Sequence, residues 1–215
     1  MARPSNRAER RHTLAVAFGR LLAERGYAGA TMAELARASG LRQGLVHYHF
    51  ESKQEILLAL LEHLAHGLEA RVAARTTASS TPHQALLAYI DAHVALGDDA
   101  DPTAVAAWVT LGVEAVRQPE VREAYARAVD AELSRLEALV EAALASRSTD
   151  DASPERSAGG AAHRPPAPDA RALAAGIYAT IQGAYHLAST VPARVPAGFA
   201  ALVLRQWLGE RLPST

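Results

Sequence analysis

The 215-residue chain contains no cysteine. Disulfides, zinc ribbons, iron–sulfur clusters and thiol nucleophiles are therefore excluded. Lysine occurs once, at Lys53, and arginine carries the remaining positive charge. Aromatic residues make up only 5% of the chain. β-branched residues form no alternating runs, so nothing in the pattern asks for a sheet. No apolar run approaches the roughly 18 residues that span a bilayer. The first eleven residues are polar and Arg-rich, without the apolar centre of a signal peptide. A soluble, cytoplasmic protein without a membrane partner is the expectation. There is no GxGxxG, P-loop or GxSxG, and no cofactor is expected.

What is present suits a folded helical protein. Apolar residues account for 49% and charged residues for 21%, ordinary globular values. Ala and Leu dominate, which favours helix. The reading is an all-α fold of about nine helices. A first helix over residues 7–25 carries Leu14, Phe18, Leu21 and Leu22 on one face. Asn6 and Glu9 suit its start, and Gly26 suits a left-handed exit. Thr31-Met-Ala-Glu34 has the form of a capping box and opens a short second helix that ends at Ser39-Gly40. Leu41 reads as a buried hinge, and a third helix covers residues 43–49. Ser52-Lys-Gln-Glu55 is a second such box. It opens a long fourth helix with Ile56, Leu57, Leu60, Leu61, Leu64 and Leu68 along one face.

Further helices are expected over residues 82–96, 102–118, 119–146, 169–190 and 196–212. Residues 147–168 are rich in Ser, Ala, Gly, Pro and Asp without periodicity and read as a flexible loop. The chain divides into a helix-turn-helix unit, residues 1–52, and a helical body, residues 53–215, expected to bind a ligand and dimerise.

Charge is uneven. Residues 1–53 hold nine Arg/Lys against four Glu, a net +5, whereas the remainder is at −6. A basic head on an acidic body suits a polyanionic partner at one end. The segment Gly40-Leu-Arg-Gln-Gly-Leu-Val-His-Tyr-His-Phe-Glu-Ser-Lys53 supplies the matching chemistry. Arg42, Gln43, Leu45 and His47 sit on a short helix behind a tight turn. Arg forms paired bonds to guanine, Gln to adenine, and Leu touches a thymine methyl. Tyr48, His49 and Lys53 suit phosphate oxygens, and the helix starts at Thr31 and Ser52 favour anions. Double-stranded DNA is the expected partner. Arg7 to Arg11 can also follow a phosphate backbone, and Arg3 can reach a minor groove.

Residues 7–64 resemble the DNA-binding domain of the TetR/AcrR family of bacterial transcriptional regulators. The resemblance rests on Thr31, Leu35-Ala36, Ser39-Gly40-Leu41, Gly44, His47-Tyr48-His49-Phe50 and Ser52-Lys53. It implies a homodimeric repressor on a near-palindromic operator, released by a small-molecule effector in the C-terminal body. It also implies phosphate contacts at Thr31, Tyr48 and Lys53, and base-facing positions at Arg42, Gln43, Leu45 and His47. This chain has His47 where the family often has tyrosine. The run from Ala107-Trp108 to Arg135 and the segment Ile181-Gln-Gly-Ala184 are similar to the bodies of BetI-like members. That similarity does not name a ligand.

Candidate effector contacts are polar-aromatic residues set in apolar helices: Tyr89, His93, Trp108, Thr110, Tyr178, Gln182, Tyr185 and His186. A dimer surface is expected from Ile177, Ile181, Ala184 and Ala188 together with Phe199, Leu202, Val203 and Trp207. Both sets also suit a subunit's own core. His63 and His66 have a metal-compatible spacing without further ligands, so no metal site is expected. Two alternatives stand beside the ligand-controlled regulator. One is a DNA-binding protein controlled by a partner or by nothing. The other is an all-helical enzyme using Glu114, His93 and His186, although no catalytic set can be assembled from spacing alone.

Overall fold

A computed structural model describes residues 6–77, 80–94, 101–150 and 169–211. Among them the fold is all-α, with nine helices and no strand. The helices are α1 (Asn6–Gly29), α2 (Met32–Ala38), α3 (Gln43–His49), α4 (Lys53–Arg75), α5 (Pro82–His93), α6 (Pro102–Arg117), α7 (Pro119–Asp150), α8 (Ala170–Thr190) and α9 (Phe199–Arg211). A 3-10 turn, Pro192–Arg194, links the last two.

The helix ends follow from local chemistry. Thr31 Oγ1 accepts from the Glu34 N–H at 3.1 Å, and Ser52 Oγ accepts from the Glu55 N–H at 3.2 Å. Neither acid reaches back to close the expected boxes. Glu34 is drawn to Arg25 and Arg37, each at 2.7 Å. Glu55 accepts from the Glu51 N–H at 2.8 Å and pairs with Arg11 at 2.7 Å. A complete capping box forms instead between Thr81 and Gln84, ahead of Pro82.

The turn between α2 and α3 is a Schellman exit. The Leu41 N–H donates to the Ala36 carbonyl at 2.9 Å and the Gly40 N–H to Arg37 at 3.3 Å. Gly40 takes φ 65° there, a region open to glycine at little cost. Leu41 is half-buried rather than fully enclosed.

Four boundaries differ from expectation. The fifth helix ends at His93 instead of residue 96. Gly26 has φ 65°, as foreseen, but one further turn follows it to Gly29. Residues 147–150, assigned to the loop, continue α7. The ninth helix begins at Phe199 instead of residue 196. Residues 1–5, with Arg3, and residues 95–100, 151–168 and 212–215 lie outside the described residues, so the readings placed on them have no structural counterpart here.

Two apolar cores organise the helices. The first joins Leu14, Phe18 and Leu22 of α1 with Leu35, Val46 and Phe50, and with Ile56, Leu57 and Leu60 of α4. Ala107, Leu111 and Ala115 of α6 and Val121 of α7 complete it. Gly19 permits the tight α1–α4 approach, since a Cβ there would sit 3.0 Å from Leu60. The second core joins Leu86 and Ile90 of α5, Leu136 and Val140 of α7, Ile177 and Ile181 of α8, and Leu204 and Leu208 of α9. The helix-turn-helix unit thus shares its core with α6, and no packing gap falls at residue 52. α4 spans both units: its first half is N-terminal core and its second half borders the body.

Candidate nucleic-acid interface and ligand cavity

Helix α3 is held by one face and open on the other. Val46 and Phe50 are fully buried, one turn apart as a helix allows. Arg42, Gln43, Leu45, His47 and Tyr48 are exposed. This short helix thus presents an exposed leucine and a tyrosine that is 64% exposed. Arg7 lies over the Tyr48 ring, 5.7 Å from its centroid. Thr31 is exposed beside the start of α2.

Two of the expected phosphate contacts have other occupations. His49 is buried and turned away from solvent. Burial, with Arg7, Arg10 and Arg11 nearby, lowers its pKa, which disfavours the charged imidazole. Arg11 donates to the His49 carbonyl, packs 4.1 Å from the Phe50 ring centroid and pairs with Glu55. It thereby clamps the end of α3 to the start of α4. Lys53 is half-buried. Its Nζ donates to the Tyr27 carbonyl and lies 3.5 Å from the centre of that ring. Desolvation lowers its pKa, opposed by Glu114. Both residues brace the unit from inside.

The body contains a cavity of about 590 Å³ between α4, α5, α6, α7 and α8, within the size range of small-molecule sites. Of the expected effector contacts, His93, Trp108, Tyr178, Gln182 and Tyr185 line it. Three others do not. Tyr89 is fully buried behind the wall, where its hydroxyl donates to Glu132 at 2.7 Å. Thr110 bonds to its own helix at the Ala106 carbonyl. His186 is exposed.

Leu64, Leu68, Arg71, Val105 and Glu132 complete much of the lining. Glu132 is the important omission from the sequence reading, because it is a buried carboxylate facing the cavity. His93 Nε2 lies 3.7 Å from it. Burial brings the His93 pKa down to about 4, so the ring is neutral. Burial also raises the phenols of Tyr89, Tyr178 and Tyr185.

The proposed catalytic trio is dispersed. Glu114 accepts from Gln118 at 2.8 Å, and Gln118 in turn accepts from the Tyr27 hydroxyl at 3.1 Å. These bonds tie α1 to α6, away from His93 in the cavity wall and from exposed His186. No group of three or more metal-capable side chains occurs among the described residues. His63 instead packs edge-on against His12. No helix among the described residues is long and apolar enough to cross a membrane.

The expected dimer stripe also divides. Ile177 and Ile181 are buried against the subunit's own α5, α7 and α9, and Ala184 is buried as well. Ala188 borders the cavity. Phe199 and Trp207 are half-buried, and Trp207 lies over Gly176. The outward face of α8 is Ala172, Ala175, Ala179 and Gly183 with exposed Leu187. Leu202 and Val203 stand out from α9 beside it.

Among the described residues, nine helices with an exposed short helix behind a glycine turn, seated on a body with a cavity, form a helix-turn-helix architecture. The signature of the family described as "Bacterial regulatory proteins, tetR family" matches residues 17–60. The chain is 36% identical over 113 residues to the HTH-type transcriptional regulator BetI of Rhizobium meliloti (strain 1021), covering 53% of this chain and 55% of that protein. It is 31% identical over 142 residues to BetI of Brucella canis, covering 64% of this chain and 71% of the relative. It thus spans about half the length of the first of these relatives. A transcriptional regulator from Saccharomonospora viridis, solved in complex with choline, shares the fold at TM-score 0.76 and 20% identity, over 97% of this chain and 100% of that one. The chain belongs to the TetR family of bacterial transcriptional regulators.

Proposed function

We propose that two copies of this chain form a DNA-binding repressor on a near-palindromic operator, which a small molecule in the body cavity releases. The observation that carries the reading is the outward face of α3. Arg42, Gln43, Leu45 and His47 are presented to solvent while Val46 and Phe50 anchor the helix from behind. Thr31 and Tyr48 take the phosphates. The outward faces of α8 and α9 build a four-helix contact across a two-fold axis, which sets the α3 helices about 34 Å apart for successive major grooves. Contact with chromosomal DNA places the protein in the cytoplasm.

Control by a ligand follows from shared helices. The second halves of α4 and of the cavity wall meet at Leu64, Leu68 and Arg71, while the first half of α4 carries Ile56, Leu57 and Leu60 of the N-terminal core. α6 does the same through Trp108 and Leu111. A ligand that fits one arrangement of these helices better than another shifts the spacing of the α3 pair, in proportion to that preference. The cavity favours this reading over control by a protein partner, which would need no hollow body. The Saccharomonospora neighbour, solved with choline, supports a small organic effector.

Selection of duplexes from a random pool tests the DNA-binding half. The wild-type chain should enrich a two-fold symmetric sequence. Arg42→Ala and Gln43→Ala should each relax one or two positions, by about 1–3 kcal/mol of discrimination. Absence of any enriched sequence overturns the reading.

A further inference from the structure

The polar groups of the cavity are spent unevenly, and what remains unspent describes a ligand. Four donors are committed within the protein. The Trp108 Nε1–H donates to Gln182 at 3.0 Å, the Tyr185 hydroxyl to the His93 carbonyl at 2.9 Å, and the Tyr89 hydroxyl to Glu132 at 2.7 Å. Arg71, also on the lining, gives its Nε–H to the Ala92 carbonyl at 3.2 Å.

The buried groups of the lining left without a partner are His93 Nε2 and the Tyr178 hydroxyl. His93 Nδ1 sits 3.0 Å from the Tyr89 carbonyl. A carbonyl only accepts, so Nδ1 carries the proton and Nε2 presents a lone pair. That Nε2 has no hydrogen-bond partner among the described residues, and neither has the Tyr178 hydroxyl. The His93 side chain is 2% exposed. Nε2 lies 3.7 Å from Glu132 Oε2, two acceptors facing the same space with no donor between them.

The charges around that space come from four elements. α7 contributes Glu132, and Arg135 stands 3.9 Å from its other oxygen. Arg135 is itself shared with Glu69 at 3.1 Å. α4 contributes Arg71 and the start of α6 contributes Asp101, one of each sign. On α5, His93 is neutral because burial disfavours its charged form. The lining therefore carries one more negative charge than positive.

We propose that the effector is a primary alkylammonium cation, whose three N–H groups meet Glu132, His93 Nε2 and the Tyr178 hydroxyl while its apolar body lies against Trp108 and Tyr185. The inference rests on the reading of the cavity as the effector site. Two unpartnered atoms, His93 Nε2 and the Tyr178 hydroxyl oxygen, and the remaining lone pairs of the Glu132 carboxylate match three donors on one cationic nitrogen. A quaternary ammonium has the charge and suits the aromatic wall, but it brings no N–H and leaves His93 Nε2 unpaired. A carboxylate meets Glu132 as a like charge. A neutral alcohol brings a single donor and no charge.

Calorimetric titration of the full-length chain with four probes of one chain length decides among them: hexylamine, hexyltrimethylammonium, hexan-1-ol and hexanoate. Hexylamine should bind at least tenfold more tightly than each of the others. Glu132→Gln, which keeps the shape, should weaken hexylamine at least tenfold. Tyr178→Phe should weaken hexylamine several-fold and by more than it weakens hexan-1-ol. His93→Phe should narrow the gap between hexylamine and hexyltrimethylammonium. Equal or tighter binding of the quaternary probe, a preference for hexanoate, no binding of hexylamine at millimolar concentration, or an unaffected Glu132→Gln variant overturns the assignment. Operator selection by the unliganded wild-type chain is a separate readout. Its failure removes the DNA-binding reading and leaves the amine ranking to stand or fall by itself.

Discussion

Tyr89 and Glu132 are 43 residues apart in sequence, yet the phenol donates to the carboxylate at 2.7 Å across the buried contact of α5 with α7. The bond fixes the orientation of the one cavity acid that is also within 4 Å of His93. Tyr89→Phe removes the donor and keeps the ring. It should lower stability by about 2 kcal/mol, because a buried carboxylate loses a partner. Tyr89→Phe combined with Glu132→Leu should recover part of that loss, since no charge is then left stranded. Urea unfolding measures both. A Tyr89→Phe midpoint equal to wild type contradicts a structural role for the bond.

Acid should destabilise the fold through His93. Its pKa is about 4 in the folded chain against 6.5 unexposed to such burial. Between those values the unfolded chain binds more protons. Stability is therefore complete above pH 6.5 and is lost as pH falls toward 4, by up to roughly 3 kcal/mol for this group. His49, His63 and His83 are lowered by burial too and act in the same direction. Urea midpoints measured from pH 7.5 to 4.5 should fall, and His93→Gln should flatten the decline. A midpoint that rises on acidification excludes this account.

Gly40 is required by its backbone and not by crowding. Its φ is 65°, and nothing lies within 4 Å of where a Cβ would stand. Gly40→Ala should cost about 1–2 kcal/mol, and Gly40→Asn less, because asparagine tolerates the left-handed region. Melting temperatures in the order wild type, Asn, Ala check this.

Arg11 should matter to DNA binding without touching DNA. It holds the His49 carbonyl, the Phe50 ring and Glu55 together. Arg11→Ala should lower stability by about 1 kcal/mol and weaken operator binding. Sequence preference should persist, since the base-facing residues are intact. Altered preference in a selection experiment would place Arg11 among the readers instead.

The proposed dimer face is crowded by design of small residues. Ala179 is exposed at the middle of α8. Ala179→Glu should yield a monomer in sedimentation and abolish operator binding at concentrations where wild type is saturated. An unchanged sedimentation coefficient would move the interface elsewhere.

Helix placement was legible because it depends on neighbours in sequence. Thr31, Ser52 and Asp169 each cap the helix they precede, and Gly40 stops one. The exposed face of α3 was equally legible, since a seven-residue helix has few ways to bury Val46 and Phe50. Facing partners were harder to read. Ile177 and Ile181 form an apolar stripe that looks the same whether it meets another subunit or the subunit's own α5 and α7. Glu132 sits in a charged stretch of α7, between Asp130 and Arg135, and reads as a solvated face. Only Tyr89, brought over by the fold, marks it as buried. Lys53 was read as a phosphate contact from its charge and the family resemblance, and no local pattern signalled that its ammonium meets the carbonyl and ring of Tyr27.

The first apolar core has a bearing on how such regulators can be recombined. Ala107, Leu111 and Ala115 belong to the floor on which the reading head rests. A hybrid gene that grafts residues 1–52 onto a foreign body would set the head on unfamiliar ground, and its grip on base pairs would inherit the misfit. Exchanging α6 together with the head keeps floor and superstructure matched, so the seam for such grafts lies in three dimensions and not at one point along the chain.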